Sequence, residues 1–373
     1  MSILFEATNI KTMELRNRFV RSATADGCGE SGYVTARQIK LFEELAEGGV
    51  GLIITGLTSV HPSGHGASFQ NSVGSDDYIP GLKRLTTAVH NRGAKIAIQL
   101  VHAGRERRKW VKDGDEQAMA PSVVENDPYY TGGKYRAMTE EEIWEIIEAF
   151  GDAGKRAREA EFDAIQIHGA HAFLMSQFLS PYTNHRSDDW GGSLENRLRI
   201  HCEIYGSIRE KMGIDYPLLI KLGVQDGFPG GLDFNEGEKA ALLLSQLGFD
   251  ALEISQGLRG KWFEETEFRT KIDGLKQEAY FRGWCRQVKH RAQVPVMMVG
   301  GLRTFELMEE IIQKGEADFI SLSRPFIREP DIINDWKSGN HHRAKCISCN
   351  KCIEALRNGE SLHCPQQKAE GNS

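Results

Sequence analysis

No stretch of this 373-residue chain approaches the roughly 18 consecutive apolar residues that a membrane-spanning helix needs, so no spanning segment is expected. No apolar run follows basic residues at the N-terminus, so no secretory leader is expected either. There is no surplus of positive charge: 46 Lys and Arg stand against 52 Asp and Glu, a net charge of −6. That argues against nucleic acid or an anionic membrane as the main partner. The chain has no internal repeat beyond a strand–helix alternation, and no low-complexity segment apart from a polar tail after Cys364. These absences leave a cytoplasmic protein acting on a small molecule, with a homo-oligomer left open.

What is present is ordinary globular composition, 40% hydrophobic and 26% charged. Short apolar runs alternate with amphipathic ones. Strands are expected at residues 19–22, 51–57, 95–100, 164–167, 218–222, 251–254, 296–299 and 319–322. Helices are expected between them at 36–47, 78–92, 140–161, 194–212, 235–247, 279–291 and 305–314. Thr139 with Glu142 has the pattern of a capping box for the third helix, and Ser193 is a plausible N-cap for the fourth. Eight such units predict an α/β fold, a parallel (β/α)8 TIM barrel over residues 1–340. A doubly wound open sheet is the competitor, weakened because no GxGxxG follows the first strand.

One connection, from Leu100 to Thr139, is too long for an ordinary loop and has no sustained period. Segments of that kind are commonly functional lids or disordered; its aromatics include Trp110, Tyr129, Tyr130 and Tyr135. The cysteines are unevenly spread. Cys28, Cys202 and Cys285 are scattered, whereas Cys346, Cys349, Cys352 and Cys364 crowd a short extension, residues 341–373. In a reducing compartment such a cluster reads as metal-binding before it reads as disulfides.

The richest stretch begins at the fourth strand. His168 and His171 stand where that strand gives way to loop, so both imidazoles can face one pocket and polarise one oxygen. Taken alone, such a pair is more often structural. The phrase that contains it, HGAHAFLMSQFLSPYTNHRSDDWGGSLENRLR (residues 168–199), resembles the same region of the old yellow enzyme family, FMN-dependent NAD(P)H ene reductases. The likeness is nearest to the bacterial branch and its 2,4-dienoyl-CoA reductase relatives, and it extends over nearly the whole barrel.

The resemblance implies a set of roles at the strand ends. Ala23, Thr24 and Ala25 would lie against the flavin, with Ala25 replacing the thiol or hydroxyl that many relatives place there. Gly56 and Leu57 would approach it after the second strand. Gln99 would meet its pyrimidine edge, being both donor and acceptor; otherwise it faces solvent. Lys221, costly to bury alone, would stabilise negative charge near the flavin N1–C2 oxygen region; otherwise it is paired with a structural carboxylate. The ends of the seventh and eighth strands, Gly300-Gly301 and Ser323-Arg324, are expected to cradle the FMN phosphate, as loops there do in such barrels. His168 and His171 would bind the carbonyl oxygen of an α,β-unsaturated substrate. The long connection after the third strand would cap the substrate pocket, with Trp110, Tyr129, Tyr130 and Tyr135 as parts of that lid. One departure stands out: Phe173 occupies the position where relatives often carry the proton-donating tyrosine. The donor is then Tyr182, a lid tyrosine or water, or the natural reaction differs.

The Cys346-x2-Cys349-x2-Cys352-x11-Cys364 pattern suits a [4Fe–4S] cluster or zinc, with unmetallated thiols the remaining option. The 2,4-dienoyl-CoA reductase and trimethylamine dehydrogenase relatives carry a cluster here, although with three residues between the second and third cysteines. Those relatives continue into electron-supplying domains, so a cluster in this chain implies an external donor protein. The alternatives to an ene reductase are a flavin-dependent dehydrogenase or oxidase, a flavin-binding electron-transfer partner, and a non-flavin TIM-barrel lyase or hydrolase.

Overall fold

The structure, a computed structural model, describes residues 2–107 and 117–370. Eight parallel strands form its centre: β1 (Phe19–Arg21), β2 (Leu52–Ser59), β3 (Lys95–Val101), β4 (Ala164–Gly169), β5 (Leu218–Gly223), β6 (Ala251–Ser255), β7 (Val296–Val299) and β8 (Phe319–Leu322). Each pairs with its sequence neighbours, and β8 returns to β1 with Ile320 opposite Phe19, so the sheet closes. The fold is a (β/α)8 barrel.

Helices α1 (Ala36–Glu47), α2 (Ile79–His90), α3 (Glu140–Glu159), α4 (Leu174–Leu179), α5 (Leu194–Met212), α6 (Phe234–Leu247), α7 (Arg282–Arg291) and α8 (Phe305–Gln313) make most of the outer layer. The expected capping box at Thr139 and Glu142 is formed, and Ser193 caps α5 through the Asn196 amide. After β8 come α9 (Arg324–Arg328) and α10 (Ile332–Lys337), and the Cys-rich segment adds α11 (Lys351–Arg357) and α12 (Pro365–Glu370). The long connection after β3 is less irregular than its sequence suggests. Residues Ala118–Ala120 pair in parallel with Tyr135–Ala137. None of the helices among the described residues is long and apolar enough to cross a membrane.

The period of two along each strand decides what faces the barrel axis. Val20, Leu52, Ala97, Ala164, Leu219, Ala251, Met297 and Phe319 meet in one inner cluster, joined by Ile10, Met13 and Leu15 of an antiparallel N-terminal hairpin. Their sequence neighbours, among them Phe19, Ile53, Ile98, Ile165, Ile220 and Leu252, point outward and pack in a second cluster with the helices. Two residues beyond six of these eight strand positions the chain turns polar, at Ser22, Gln99, Gln166, Lys221, Glu253 and Ser321, followed by His168 and Ser255, whereas β2 and β7 stay apolar there with Ile54 and Val299. The barrel is thus filled with hydrocarbon below and with a buried polar layer toward the C-terminal ends of its strands.

Candidate active site

That polar layer is the floor of a cavity of about 540 Å³ at the C-terminal end of the barrel, the face where (β/α)8 barrels carry their chemistry. Ala23, Thr24, Ala25, Leu57, Gln99, His168, His171, Lys221, Gly300, Gly301, Ser323 and Arg324 all line it. Gly56 does not belong with them. A Cβ at that position would come within 2.8 Å of the Thr24 carbonyl oxygen. Glycine is needed there for the close approach of β2 to the segment after β1, and of the two β2 residues expected to approach the flavin only Leu57 lines the cavity. A shallower hollow of about 570 Å³ between α1 and the α9–α10 turn is lined mainly by charged side chains such as Glu44, Glu47 and Asp331, and brings together none of these groups.

In the floor, Lys221 Nζ lies 2.8 Å from Ser22 Oγ and 3.3 Å from Glu253 Oε2. Ser22 Oγ donates to Glu253 Oε1 at 2.7 Å, and Gln166 Nε2 donates to Oε2 at 2.9 Å. Gln99 Nε2 donates to Gln166 Oε1 at 2.7 Å. Lys221 therefore both faces the cavity and has a buried carboxylate partner. Register brings this about: Lys221 sits opposite Glu253 on one side and His168 on the other.

The two imidazoles stand edge to face with centroids 5.0 Å apart. His171 Nε2 is 2.8 Å from Ser255 Oγ, and its Nδ1 is 3.9 Å from Glu267 Oε1. His168 Nδ1 is buried without a hydrogen-bond partner, an arrangement that is costly unless a ligand supplies one. Burial holds both pKa values well below the ordinary imidazole range; the charges of His171 and Lys221 add to this at His168, and those of Lys221 and Arg259 at His171. Both rings are neutral near pH 7, each with one N–H to give. His171 and Ala172 are consecutive non-glycine residues in the left-handed region, φ +59° and +65°. Backbone bonds from their amides to Gln256 O and Gly257 O hold this strained turn against the loop after β6. Strain of this sort persists only where surrounding structure enforces it.

At the other end of the cavity Gly300 (φ +121°) and Gly301 (φ +73°) curl beneath Tyr280, whose ring carbons would lie 2.7–2.8 Å from a Cβ on either. Arg324 Nη1 donates to Arg269 O at 2.8 Å in the loop after β6 and to Asn350 Oδ1 at 2.7 Å in the Cys-rich segment. Thr24 Oγ1 and Ser323 Oγ share a 2.8 Å hydrogen bond.

The lid aromatics lie elsewhere. Trp110 falls outside the described residues. Tyr129 stacks on Phe228 at 3.8 Å, and Tyr130 and Tyr135 pack around the guanidinium of Arg105, which is buried against Asp127 at 2.8 Å. Tyr182 donates to Asp127 Oδ1 at 2.9 Å. None of these four tyrosines lines the cavity. Burial and Asp127 raise the Tyr182 pKa to about 12, which makes it a poor acid as well as a distant one. Phe173 does line the cavity, its ring 4.8 Å from that of His168.

The structure adds residues that sequence reasoning passed over. Gln166 and Glu253 continue the same inward alternation as Lys221, and that period was the available signal. Arg259 and Glu267, paired at 2.6 Å beside His171, come from an irregular loop with no period to mark them.

Cys346, Cys349, Cys352 and Cys364 are all free and line one small cavity of about 20 Å³. Burial raises the Cys352 thiol to about 11, and the other three cysteines of the group all act on it. Among the described residues, however, no set of three or more Cys, His, Asp or Glu side chains stands in metal-holding geometry. Cys346, Cys352 and Arg324 border both this cavity and the larger one.

Fold and site together define a (β/α)8 barrel with a polar-floored cavity at the C-terminal ends of its strands. Residues 3–343 match the model of the NADH:flavin oxidoreductase / NADH oxidase family, and the chain belongs to that family. It is 36% identical over 354 residues to an NADH oxidase of Thermoanaerobacter brockii, covering 93% of this chain and 52% of that protein. An NADPH dehydrogenase of Halalkalibacterium halodurans is 35% identical, with 88% of this chain and 91% of that protein covered. Among solved structures, a 2-naphthoyl-CoA reductase complex superposes with a TM-score of 0.89 at 26% identity, covering 99% of this chain and 58% of that one. The chain spans about half the length of the NADH oxidase and of the reductase.

Proposed function

We propose that residues 1–340 form an FMN-dependent oxidoreductase barrel that reduces the activated C=C bond of an α,β-unsaturated carbonyl compound, with NAD(P)H or a protein as electron donor. One observation carries this reading: the strand-end residues that the family likeness selects for flavin and substrate, Gly56 excepted, all line a single cavity with the histidine pair in its wall. The site fits the cofactor. Gly300 and Gly301 leave their backbone open toward an anion, Arg324 borders the same end, and His168 Nδ1 and Ser321 Oγ are buried without partners. When bound, FMN supplies the hydride and is itself recharged by the donor.

The chain's own residues then do the polarising. Neutral His168 and His171 each donate an N–H to the substrate carbonyl oxygen and draw electron density from its β-carbon. In the tautomer that accepts from Ser255 Oγ at Nε2, the proton of the His171 ring sits on Nδ1. Lys221 offers positive charge to the cavity floor. Residues 341–373 form a Cys-rich extension whose four thiols hold a [4Fe–4S] cluster, with zinc as the alternative. The fit rests on their sharing one cavity, with Arg328 Nη1 4.0 Å from the Cys364 sulfur and Gln366 Nε2 4.0 Å from that of Cys349. Such a cluster would carry single electrons to or from the barrel.

A second reading, a flavin dehydrogenase or oxidase, is favoured by one feature. Among the described residues the only tyrosine lining the cavity is Tyr280, and its hydroxyl is committed to Glu267 O at 2.6 Å, so no described phenol stands beside the histidines to protonate a substrate.

The test is anaerobic purification followed by a visible spectrum, iron, zinc and sulfide analysis, and enone titration of the wild type and the His168→Ala/His171→Ala variant. A flavin spectrum with enone binding lost only in the variant supports the ene-reductase reading. Unchanged enone affinity in the flavin-loaded variant removes the histidine role. A colourless protein removes the flavin reading in favour of a lyase or hydrolase.

A further inference from the structure

We propose that Glu253 sets the electron affinity of the flavin site by neutralising Lys221, with Ser22 bridging the two charges. The inference rests on the FMN-binding reading above and adds a residue to it.

Lys221 and Glu253 face each other across adjacent strands, with side chains 3% and 0% exposed. Glu253 accepts from Ser22 and Gln166 as well as pairing with Lys221. Ser22 Oγ lies 2.8 Å from Lys221 Nζ and donates to the carboxylate, so one hydroxyl touches both charges. Only the upper members of this network, Ser22, Gln99 and Lys221, line the cavity; Glu253 lies behind them. In a poorly solvated interior a lone ammonium would project its full charge onto a bound ligand. With a carboxylate 3.3 Å behind it, the cavity meets a dipole instead of a net charge. Reduction places negative charge on a flavin, and an unopposed Lys221 would favour that state. Glu253 therefore works against reduction and keeps the bound flavin a stronger reductant. It acts through Lys221 and touches neither cofactor nor substrate, which makes it a positioning residue.

The experiment is a spectroelectrochemical titration of the FMN-loaded protein, with the FMN dissociation constant measured alongside. In Glu253→Gln, the preference for reduced over oxidised flavin should rise at least tenfold, which is about 30 mV upward for a two-electron couple. Glu253→Asp, which keeps the charge, should recover most of the wild-type potential. In a Lys221→Met background the Glu253→Gln shift should disappear. An unchanged potential in flavin-loaded Glu253→Gln overturns the proposal, as does an equal shift in the Lys221→Met background. If Glu253→Gln fails to fold, Ser22→Ala removes the bridge with both charges kept: an upward shift supports the coupling and no shift overturns it. A wild-type protein that binds no FMN would instead refute the flavin reading itself, so the two failures are distinguishable.

Discussion

Asp226→Asn should change how stability depends on pH, and the size of the change follows from three hydrogen bonds. Asp226 is 4% exposed. Its Oδ2 accepts from Ser180 Oγ at 2.6 Å and Leu232 N at 2.7 Å, and its Oδ1 from Leu258 N at 2.6 Å. One carboxylate thus ties together the loops that follow β4, β5 and β6. Burial raises its pKa from 3.8 to about 6, with the bonds from Ser180, Leu258 and Leu232 pulling the other way. A folded-state value above the unfolded one means that the folded protein holds the proton more tightly. This group's contribution is therefore fully present below pH 4 and is lost as pH rises through 6. At about 1.4 kcal/mol per tenfold change, the loss is about 3 kcal/mol. Asparagine cannot ionise, but it replaces one acceptor with an NH2 facing donors, a fixed penalty of about 1–3 kcal/mol. Urea unfolding of both proteins from pH 4.5 to 7.5 should show the variant gaining on the wild type by about 2 kcal/mol as pH rises, the rest of the change lying below pH 4.5. A flat difference, or one in which the wild type gains, would refute the reasoning. It would mean that the three hydrogen bonds outweigh burial.

Other outcomes follow from the same geometry. Gly300→Ala forces a side chain to φ +121° and a Cβ to 2.7 Å from the Tyr280 ring, so FMN should bind at least tenfold more weakly; fluorescence titration checks this, and unchanged affinity would mean the turn does not meet the cofactor. Phe173→Tyr places a phenol in the cavity beside His168, and turnover of 2-cyclohexenone should rise by about 10²-fold if protonation limits the reaction; an unchanged kcat would place the limiting step elsewhere. Cys352→Ser should abolish iron or zinc in elemental analysis while flavin absorbance remains, and full metal content in that variant would exclude Cys352 as a ligand.

The phrase that most clearly marked the family, residues 184–197, does no chemistry in the structure. Asn184 holds the carbonyls of Phe178 and Trp190, Arg186 those of Pro121 and Met138, and Arg197 those of Leu179 and Gly192. These side chains brace the loop between α4 and α5, so its legibility came from scaffolding. The paired histidines, His168 and His171, stand upstream of it, and what they can do depends on what stands opposite.

The sequence by itself determined the eight strands, the alternation of their faces, the polar residues near the C-terminal ends of most of them and the cap at α3. All of these are set by neighbours within one element, where a period of two or a side chain three residues away settles the matter. The tertiary structure alone decided the pairings across elements. Glu253 lies 32 residues from the Lys221 that it neutralises, and the distance depends on strand register. Gly56 serves the packing of β2 because Thr24 arrives beside it from another strand, and the lid tyrosines turn to Arg105 and Phe228 because those groups offer a buried cation and an apolar ring. Strand periodicity is a local property, whereas compensation of a buried charge depends on which strand becomes the neighbour, and that exists only once the barrel has closed.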